Sequence, residues 1–215
     1  MQIQPTTADL LPMKSNNWKV CLSAPEIELR NLRAEKARRL LHEFVVQAWP
    51  VLEPATPFLN GIHVEAICEH LQAVTEGRIR HLIINLPPGH AKSLLTAVFW
   101  PAWVWIDRPQ IRWLFASYSA HLSVRDSLRC RRLIESDWYQ QNWGDRYQLT
   151  TDQNQKHRFE NERTGYRIAT SVAGSATGER ADMVVVDDPH SVDQAESDAE
   201  RRTAVEWFNG TMSPG

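Results

Sequence analysis

From residue 81 onward, apolar runs typical of strands alternate with helical patterns, and this alternation constrains the fold more than any other feature of the sequence. The runs lie at residues 81–86, 111–116 and 183–186. The first of these runs is typical of a strand buried on both faces, and the last is predicted to be a central strand. Helical patterns occupy residues 92–106, 119–135 and 195–209, and short β-like runs in residues 146–170 predict hairpins. Strand–helix alternation favours a mostly parallel sheet with right-handed crossovers. We therefore predict an α/β domain with helices flanking a mostly parallel sheet.

The first part of the chain predicts a separate helical segment. Residues 1–17 are polar and aperiodic, which is typical of a loose arm. A helix is predicted over residues 25–48, and a second over residues 62–75. The apolar stripe predicted for the first helix consists of Leu29, Leu32, Ala37, Leu40 and Phe44. Because three prolines follow between residues 50 and 57, we divide the chain into residues 1–57 and 58–215.

Net charge, cysteine spacing and the apolar stretches limit which partners and which cellular compartment the sequence predicts. The net charge of −2 gives no global basic field, so any DNA contact must be local or made by another domain or subunit. Cys21, Cys68 and Cys130 have no paired spacing, which predicts reduced thiols in a cytosolic protein. No signal peptide is evident. The apolar stretch at residues 94–106 is too short for a membrane span and contains Pro101.

The segment between the first apolar run and its helix fits a phosphate-binding loop. It consists of Pro87, Pro88, Gly89, His90, Ala91, Lys92 and Ser93. In such a loop, lysine reaches the β- and γ-phosphates and the hydroxyl binds Mg²⁺. Leu86 and Ala91 replace the two glycines of the usual pattern. The alternative is that Lys92-Ser93 merely caps a helix.

A second motif ends the apolar run at residues 183–186, where two carboxylates, Asp187 and Asp188, follow directly. In phosphoryl-transfer enzymes the first such acid holds Mg²⁺ and the next aligns the attacking water. The alternative is a turn, because Asp188-Pro189 is a common turn initiator. If both motifs lie at carboxyl ends of neighbouring strands of one sheet, they converge. The pair of motifs predicts a P-loop NTPase of the RecA/ASCE type.

With these motifs the chain resembles the large terminase subunits of tailed phages, from about Phe58 onward. The family's loop commonly reads Pro-Pro-Arg-His-Gly-Lys-Ser, and residues 87–93 follow it with two changes. Further similar segments lie at residues 115–119, 125–127, 131–136, 177–182, 186–189 and 207–211.

The resemblance implies an ATPase motor that drives double-stranded DNA into a capsid. It implies that Lys92 contacts the phosphates of ATP, that Ser93 and Asp187 hold Mg²⁺, and that Asp188 is the catalytic carboxylate. It also implies portal protein and the small terminase subunit as partners, a ring of copies, and a location in the cytoplasm of a bacterial host cell.

Two departures from the family pattern lead to further expectations. Gly89 stands where terminases often have an arginine, and Arg180 is the first candidate to supply that guanidinium. An equal alternative is that Arg180 is a solvated loop arginine or a partner for Asp182. Because the chain stops at Gly215, before the family's RNase H-like domain, we expect a fragment without nuclease activity. The competing functions are another P-loop DNA-dependent ATPase and a truncated, catalytically degenerate piece that acts only in binding or assembly.

Three other groups of residues stand out in the sequence beside the two motifs. Arg125, Arg129 and Arg132 form a row on one helical face, which more often is simply solvated than bound to phosphate or a neighbour. Trp100, Trp103 and Trp105 are predicted to be core residues rather than a base-stacking platform. Phe58 and His63 are weak candidates for contacts beside the nucleotide.

Overall fold

The computed structural model describes residues 23–172, 174 and 178–211. The predicted arm and Cys21 lie outside this part of the chain. The helices are α1 Ala24–Arg39, α2 Leu41–Leu52, α3 Ile62–Thr75, α4 Lys92–Leu94, α5 Trp100–Asp107, α6 Ala120–Glu135, α7 Asp137–Trp143, α8 Val192–Glu196 and α9 Asp198–Thr211, with a π-helical turn, Leu95–Phe99, joining α4 to α5. The strands are β1 Trp113–Ser117, β2 Leu149–Asn154, β3 Arg158–Asn161, β4 Tyr166–Ser171 and β5 Met183–Val186. Among the described helices, none combines the length and apolar character needed to cross a bilayer.

The helix predicted over residues 25–48 is two helices. α1 begins where the Glu26 carboxylate accepts hydrogen bonds from the backbone N–H and hydroxyl of Ser23, at 2.7 and 2.6 Å. It ends at Leu40, whose backbone is extended (φ −125°), and α2 starts at the next residue. Of the predicted apolar stripe, Ala37 and Phe44 are buried, whereas Leu29, Leu32 and Leu40 are exposed. The periodicity across the break therefore overestimated the buried face of α1.

The helical segment after the loop is the centre of the core. α4, the π turn and α5 run without interruption from Lys92 to Asp107, and the residues of the π turn are all buried. The predicted core role of the tryptophans is confirmed, because Trp100, Trp103 and Trp105 are at most 8% exposed. Their indole N–H groups donate to Thr75 Oγ1 at 2.8 Å, to the carbonyl of Ala37 at 3.0 Å and to that of Ile111 at 2.8 Å. The helical segment is thus held against α3, α1 and the approach to β1.

The sheet is mixed, and the predicted P-loop NTPase fold with a mostly parallel sheet is wrong. Its order is β2-β3-β4-β1-β5. Only β4, β1 and β5 run parallel, while β2 pairs with β3 and β3 with β4 in antiparallel fashion. The links between β2, β3 and β4 are only three and four residues long. Since so short a link can join only antiparallel strands, the hairpins themselves make half of the sheet antiparallel.

The run at residues 81–86, predicted to be a central buried strand, does not join this sheet. Leu82, Ile84 and Leu86 are half-buried against the core, whereas Ile83 is 85% exposed. The run therefore packs one face through alternate side chains and leaves the other in solvent. β5, not this run, pairs with β1 and forms that edge of the described sheet.

A buried polar contact fixes the hairpin between β3 and β4. The Asn161 side chain, 2% exposed, donates to the Pro109 carbonyl at 2.8 Å and accepts from the backbone N–H of Arg163 and of Gly165. Gly165 approaches Pro109 so closely that a Cβ at this position would lie 1.8 Å from the Pro109 carbonyl oxygen. This turn requires glycine because there is no room for a side chain.

Candidate functional site

Parallel pairing of β1 and β5 brings the acidic pair to the carboxyl end of β1. The backbone N–H of Asp187 donates to the carbonyl of Ala116 at 2.9 Å, and that of Tyr118 donates to the carbonyl of Asp188 at 2.9 Å. Asp188 has a positive φ of 47°, a conformation that Asp adopts more readily than most residues. The chain therefore turns sharply after β5, and both carboxylates stand beside the ends of the two strands.

Lys92 contacts both carboxylates. Its Nζ lies 3.2 Å from Asp187 Oδ1 and also donates to Asp188 Oδ1. The Lys92 and Asp187 side chains are less than one-fifth exposed, whereas that of Asp188 is 58% exposed. Burial opposes the charge of Lys92, but the hydrogen bond to Asp188 and the charge of Asp187 outweigh it, so its pKa is raised. The lysine is thus held in its charged form at this position.

The loop that precedes Lys92 has two residues with left-handed backbone. Gly89 has φ 83° and Ala91 has φ 58° and ψ 14°. Ala91 directly precedes α4, and its carbonyl accepts a hydrogen bond from the Leu95 N–H at 2.9 Å. His90 Nδ1 lies 3.1 Å from the Pro87 carbonyl oxygen, within the loop itself. An alanine in this conformation is strained relative to glycine by about 1–2 kcal/mol, so the loop carries local strain next to Lys92.

A pocket of about 540 Å³ lies between this loop, the end of β1 and helix α6. Volumes of this size are typical of small-molecule sites. Its wall includes the whole 87–93 loop, residues 115–118 of β1 and its end, and both Asp187 and Asp188. The wall also includes three residues from the N-terminal part of the chain: Trp49, Glu53 and Thr56.

The part of the pocket next to α6 is rich in arginine. Arg125 donates to both oxygens of Asp126, at 2.9 and 3.1 Å, and this hydrogen bonding raises the pKa of Arg125. The carboxylate of Asp126 is buried. Arg129 forms an ion pair with Glu53 of the segment that follows α2. Of the arginine row predicted on this helix, two members thus line the pocket, while Arg132 is exposed.

The structure gathers most of the residues singled out in the sequence around one pocket. They are Pro87, Pro88, Gly89, His90, Ala91, Lys92, Ser93, Asp187 and Asp188. Arg180 does not line it; this residue is exposed, and its carbonyl accepts a hydrogen bond from the Tyr166 hydroxyl. Phe58 and His63 also lie outside the pocket wall, although the His63 ring is 5.3 Å from the ring of His90.

Sequence reasoning missed Arg167, a fully buried residue of β4 that lines the pocket. Its guanidinium carbon lies 3.6 Å above the centre of the Phe115 ring. Burial lowers the pKa of Arg167 to about 10. The available signal was an arginine beside Ile168 and Ala169 in a strand-like run, where a charged residue is exceptional.

The oxygen ligands present fit a magnesium ion accompanied by phosphate. Within residues 23–172, 174 and 178–211, no group of three or more His, Cys, Asp or Glu side chains forms a metal site. Mg²⁺ commonly binds through only one or two carboxylates together with water and substrate phosphates. Asp187 and the Ser93 hydroxyl both line the pocket and supply that kind of donor.

Comparison with models of known protein families gives no match for this chain, and comparison with curated proteins gives none either.

Proposed function

We propose that this protein binds a magnesium–nucleoside triphosphate, ATP in the first instance, in the 540 Å³ pocket and hydrolyses its terminal phosphate. The observation that carries the proposal is the contact of Lys92 with Asp187 and Asp188 at the edge of a single pocket. A lysine that can bind phosphate, next to two carboxylates that can bind a metal and orient a water, is a combination that recurs in phosphoryl-transfer enzymes.

Each residue has a definite task in this proposal. Lys92 exchanges its carboxylate partners for phosphate oxygens, and Ser93 and Asp187 hold the metal, which neutralises the phosphate charge when bound. Asp188, the more exposed of the two acids, accepts a hydrogen bond from the attacking water and aligns it. Catalysis of this kind depends on positioning and electrostatics, with no covalent intermediate on the protein.

The resemblance to terminase large subunits gives this hydrolysis a biological role. We infer that it drives double-stranded DNA in phage or prophage genome packaging, in the bacterial cytoplasm, with portal protein and the small terminase subunit as partners. Double-stranded DNA should then raise the rate of phosphate release. A rate that is the same with and without DNA would remove the packaging role but leave the hydrolase.

A second candidate is a binding piece without turnover. It is favoured by the strained Ala91, which stands where phosphate loops have glycine. In this case the same pocket serves assembly on portal or small terminase.

One pair of measurements tests the hydrolase and separates it from the second candidate. Magnesium–ATP at about 100 times its Kd should stabilise the protein by about 2.7 kcal/mol, measured by thermal unfolding. Phosphate release from the same sample reports turnover. Lys92→Ala should abolish both, whereas Lys156→Ala, at an exposed position in the β2–β3 link, should change neither. Turnover by Lys92→Ala at the wild-type rate would refute the site.

A further inference from the structure

Arg167 is a buried cation of strand β4. It is 0% exposed, and among the described residues none accepts a hydrogen bond from its Nε, Nη1 or Nη2. A guanidinium has five N–H donors, and leaving them unsatisfied in a buried site is costly. The ring of Phe115 offers its face to the cation but cannot satisfy those N–H groups. Among the described residues, the N–H groups of Arg167 therefore have no hydrogen-bond partner.

The nearby carboxylates already have partners. Asp126, the acid whose charge acts on Arg167, is hydrogen-bonded through both oxygens to Arg125. Glu53 is paired with Arg129. In this part of the pocket three arginines face two carboxylates, so one positive charge is in excess. In the part of the pocket next to the 87–93 loop, Lys92 faces two carboxylates, so one negative charge is in excess. We call these two regions the positive and the negative part of the pocket.

This division of charge suits a metal-bound triphosphate, which presents a cation and an anion together. The negative part, with Asp187 and Asp188, suits the cation. The positive part, with Arg167, suits the anionic group that extends beyond it. Residues of both parts line the same pocket.

We propose that Arg167 binds the terminal phosphoryl group of the nucleoside triphosphate and thereby distinguishes triphosphate from diphosphate. This inference rests on the proposed function, since it names a further contact within the same site. It also gives the pocket a guanidinium, the role for which Arg180, an exposed residue, was the first candidate from the sequence. A planar guanidinium can donate two parallel hydrogen bonds to one phosphate, which a lysine cannot do.

The test compares Arg167→Met and Arg167→Lys with wild type and with Arg132→Met, an exposed arginine of α6. Kd values for magnesium–ATP and magnesium–ADP are measured by calorimetry, and thermal unfolding is recorded without nucleotide. We expect Arg167→Met to lose ATP affinity by about ten- to a hundred-fold and ADP affinity by less than about three-fold. Arg167→Lys should fall between Arg167→Met and wild type, and Arg132→Met should match wild type.

Unfolding without nucleotide separates a binding role from a structural one. Because methionine removes an unsatisfied buried charge, Arg167→Met should unfold at or above the wild-type temperature. A much lower unfolding temperature for both Arg167 variants would make the residue structural and overturn the proposal. Equal losses of ATP and ADP affinity would also overturn it. If the wild-type protein binds no ATP at all, both the proposed function and the Arg167 assignment fail. If the wild-type protein binds ATP but Arg167→Met has the same ratio of ATP affinity to ADP affinity, only the Arg167 assignment fails.

Discussion

Lys92 Nζ and Asp187 Oδ1 lie 3.2 Å apart, although all five strands of the described sheet lie between the two residues in the sequence. The contact joins the loop before α4 to the chain that leaves β5. It is the physical link between the two motifs, and it makes the stability of this part of the protein depend on the lysine charge.

Replacing Lys92 with Met should lower the free energy of unfolding by up to about 1 kcal/mol at pH 7.5, because two adjacent carboxylates lose their counter-charge. The folded-state pKa of Lys92 is raised above its usual value of 10.5. The stabilisation is therefore constant below pH 10.5 and is lost as the pH rises through the folded pKa. Urea unfolding of wild type, Lys92→Met and Lys156→Met at pH 7.5, 9.5 and 11.5 measures this. A difference that stays constant up to pH 11.5 would contradict the ion pair.

Ala91→Gly should stabilise the protein by about 0.5–1 kcal/mol. The left-handed backbone at Ala91 is strained for any residue with a Cβ, and glycine removes this strain. The strain relieved exceeds the free-energy cost of the greater flexibility of glycine in the unfolded chain. Ala66→Gly is the matched control, because Ala66 lies exposed inside α3, where glycine should cost about 1 kcal/mol. Urea unfolding should give changes of opposite sign. Destabilisation by both substitutions would mean that the loop does not have this conformation in solution.

Gly165→Ala should destabilise the protein by about 3 kcal/mol, since the new methyl group would overlap the Pro109 carbonyl oxygen. That oxygen is backbone and is already held by Asn161. Gly210→Ala in α9 is the control, because a Cβ there meets nothing within 4 Å. Thermal unfolding of both variants provides the measurement. A Gly165→Ala protein as stable as wild type would show that the β3–β4 turn is not packed against Pro109.

Cys68 and Cys130 should be unreactive in the folded protein. Burial raises the pKa of Cys68 to about 12 and that of Cys130 to about 11, so neither forms thiolate at pH 8. In a Cys21→Ser variant, a thiol-specific chromogenic reagent should detect no thiol before denaturant is added and two thiols afterwards. Rapid reaction of either cysteine in the folded protein would show that the core around it is open.

Features that depend on local periodicity were predictable from sequence. The bounds of α3 match the prediction, and the three tryptophans of the helix after the loop are buried as expected. The apolar pattern of residues 183–186 correctly predicted a strand, β5, although this strand forms an edge of the described sheet and is not central as predicted. In each case the residues that decide the structure are close in the chain.

Features that depend on distant pairing were not predictable. The apolar run at residues 81–86 looks like a central strand, but whether it pairs is decided by β5, which occupies the place beside β1. Likewise, Arg180 stands near the acidic motif in sequence but outside the pocket, whereas Arg167 reaches it because β4 pairs with β1. No local pattern contains that information.

The π turn of residues Leu95–Phe99 has a mechanical consequence for the loop. A π turn holds one more residue than the corresponding α-helical turn, so the residues on its two sides differ in angular phase from those of a plain α-helix. Downstream, the tryptophans fix the orientation of α5; upstream, that extra residue sets the direction in which Lys92 leaves the helix. Because all five residues of this turn are buried, deleting one of them would remove a core side chain and change the backbone of the turn next to Lys92. A single deletion in this turn should therefore loosen the core and disturb the lysine of the pocket at the same time.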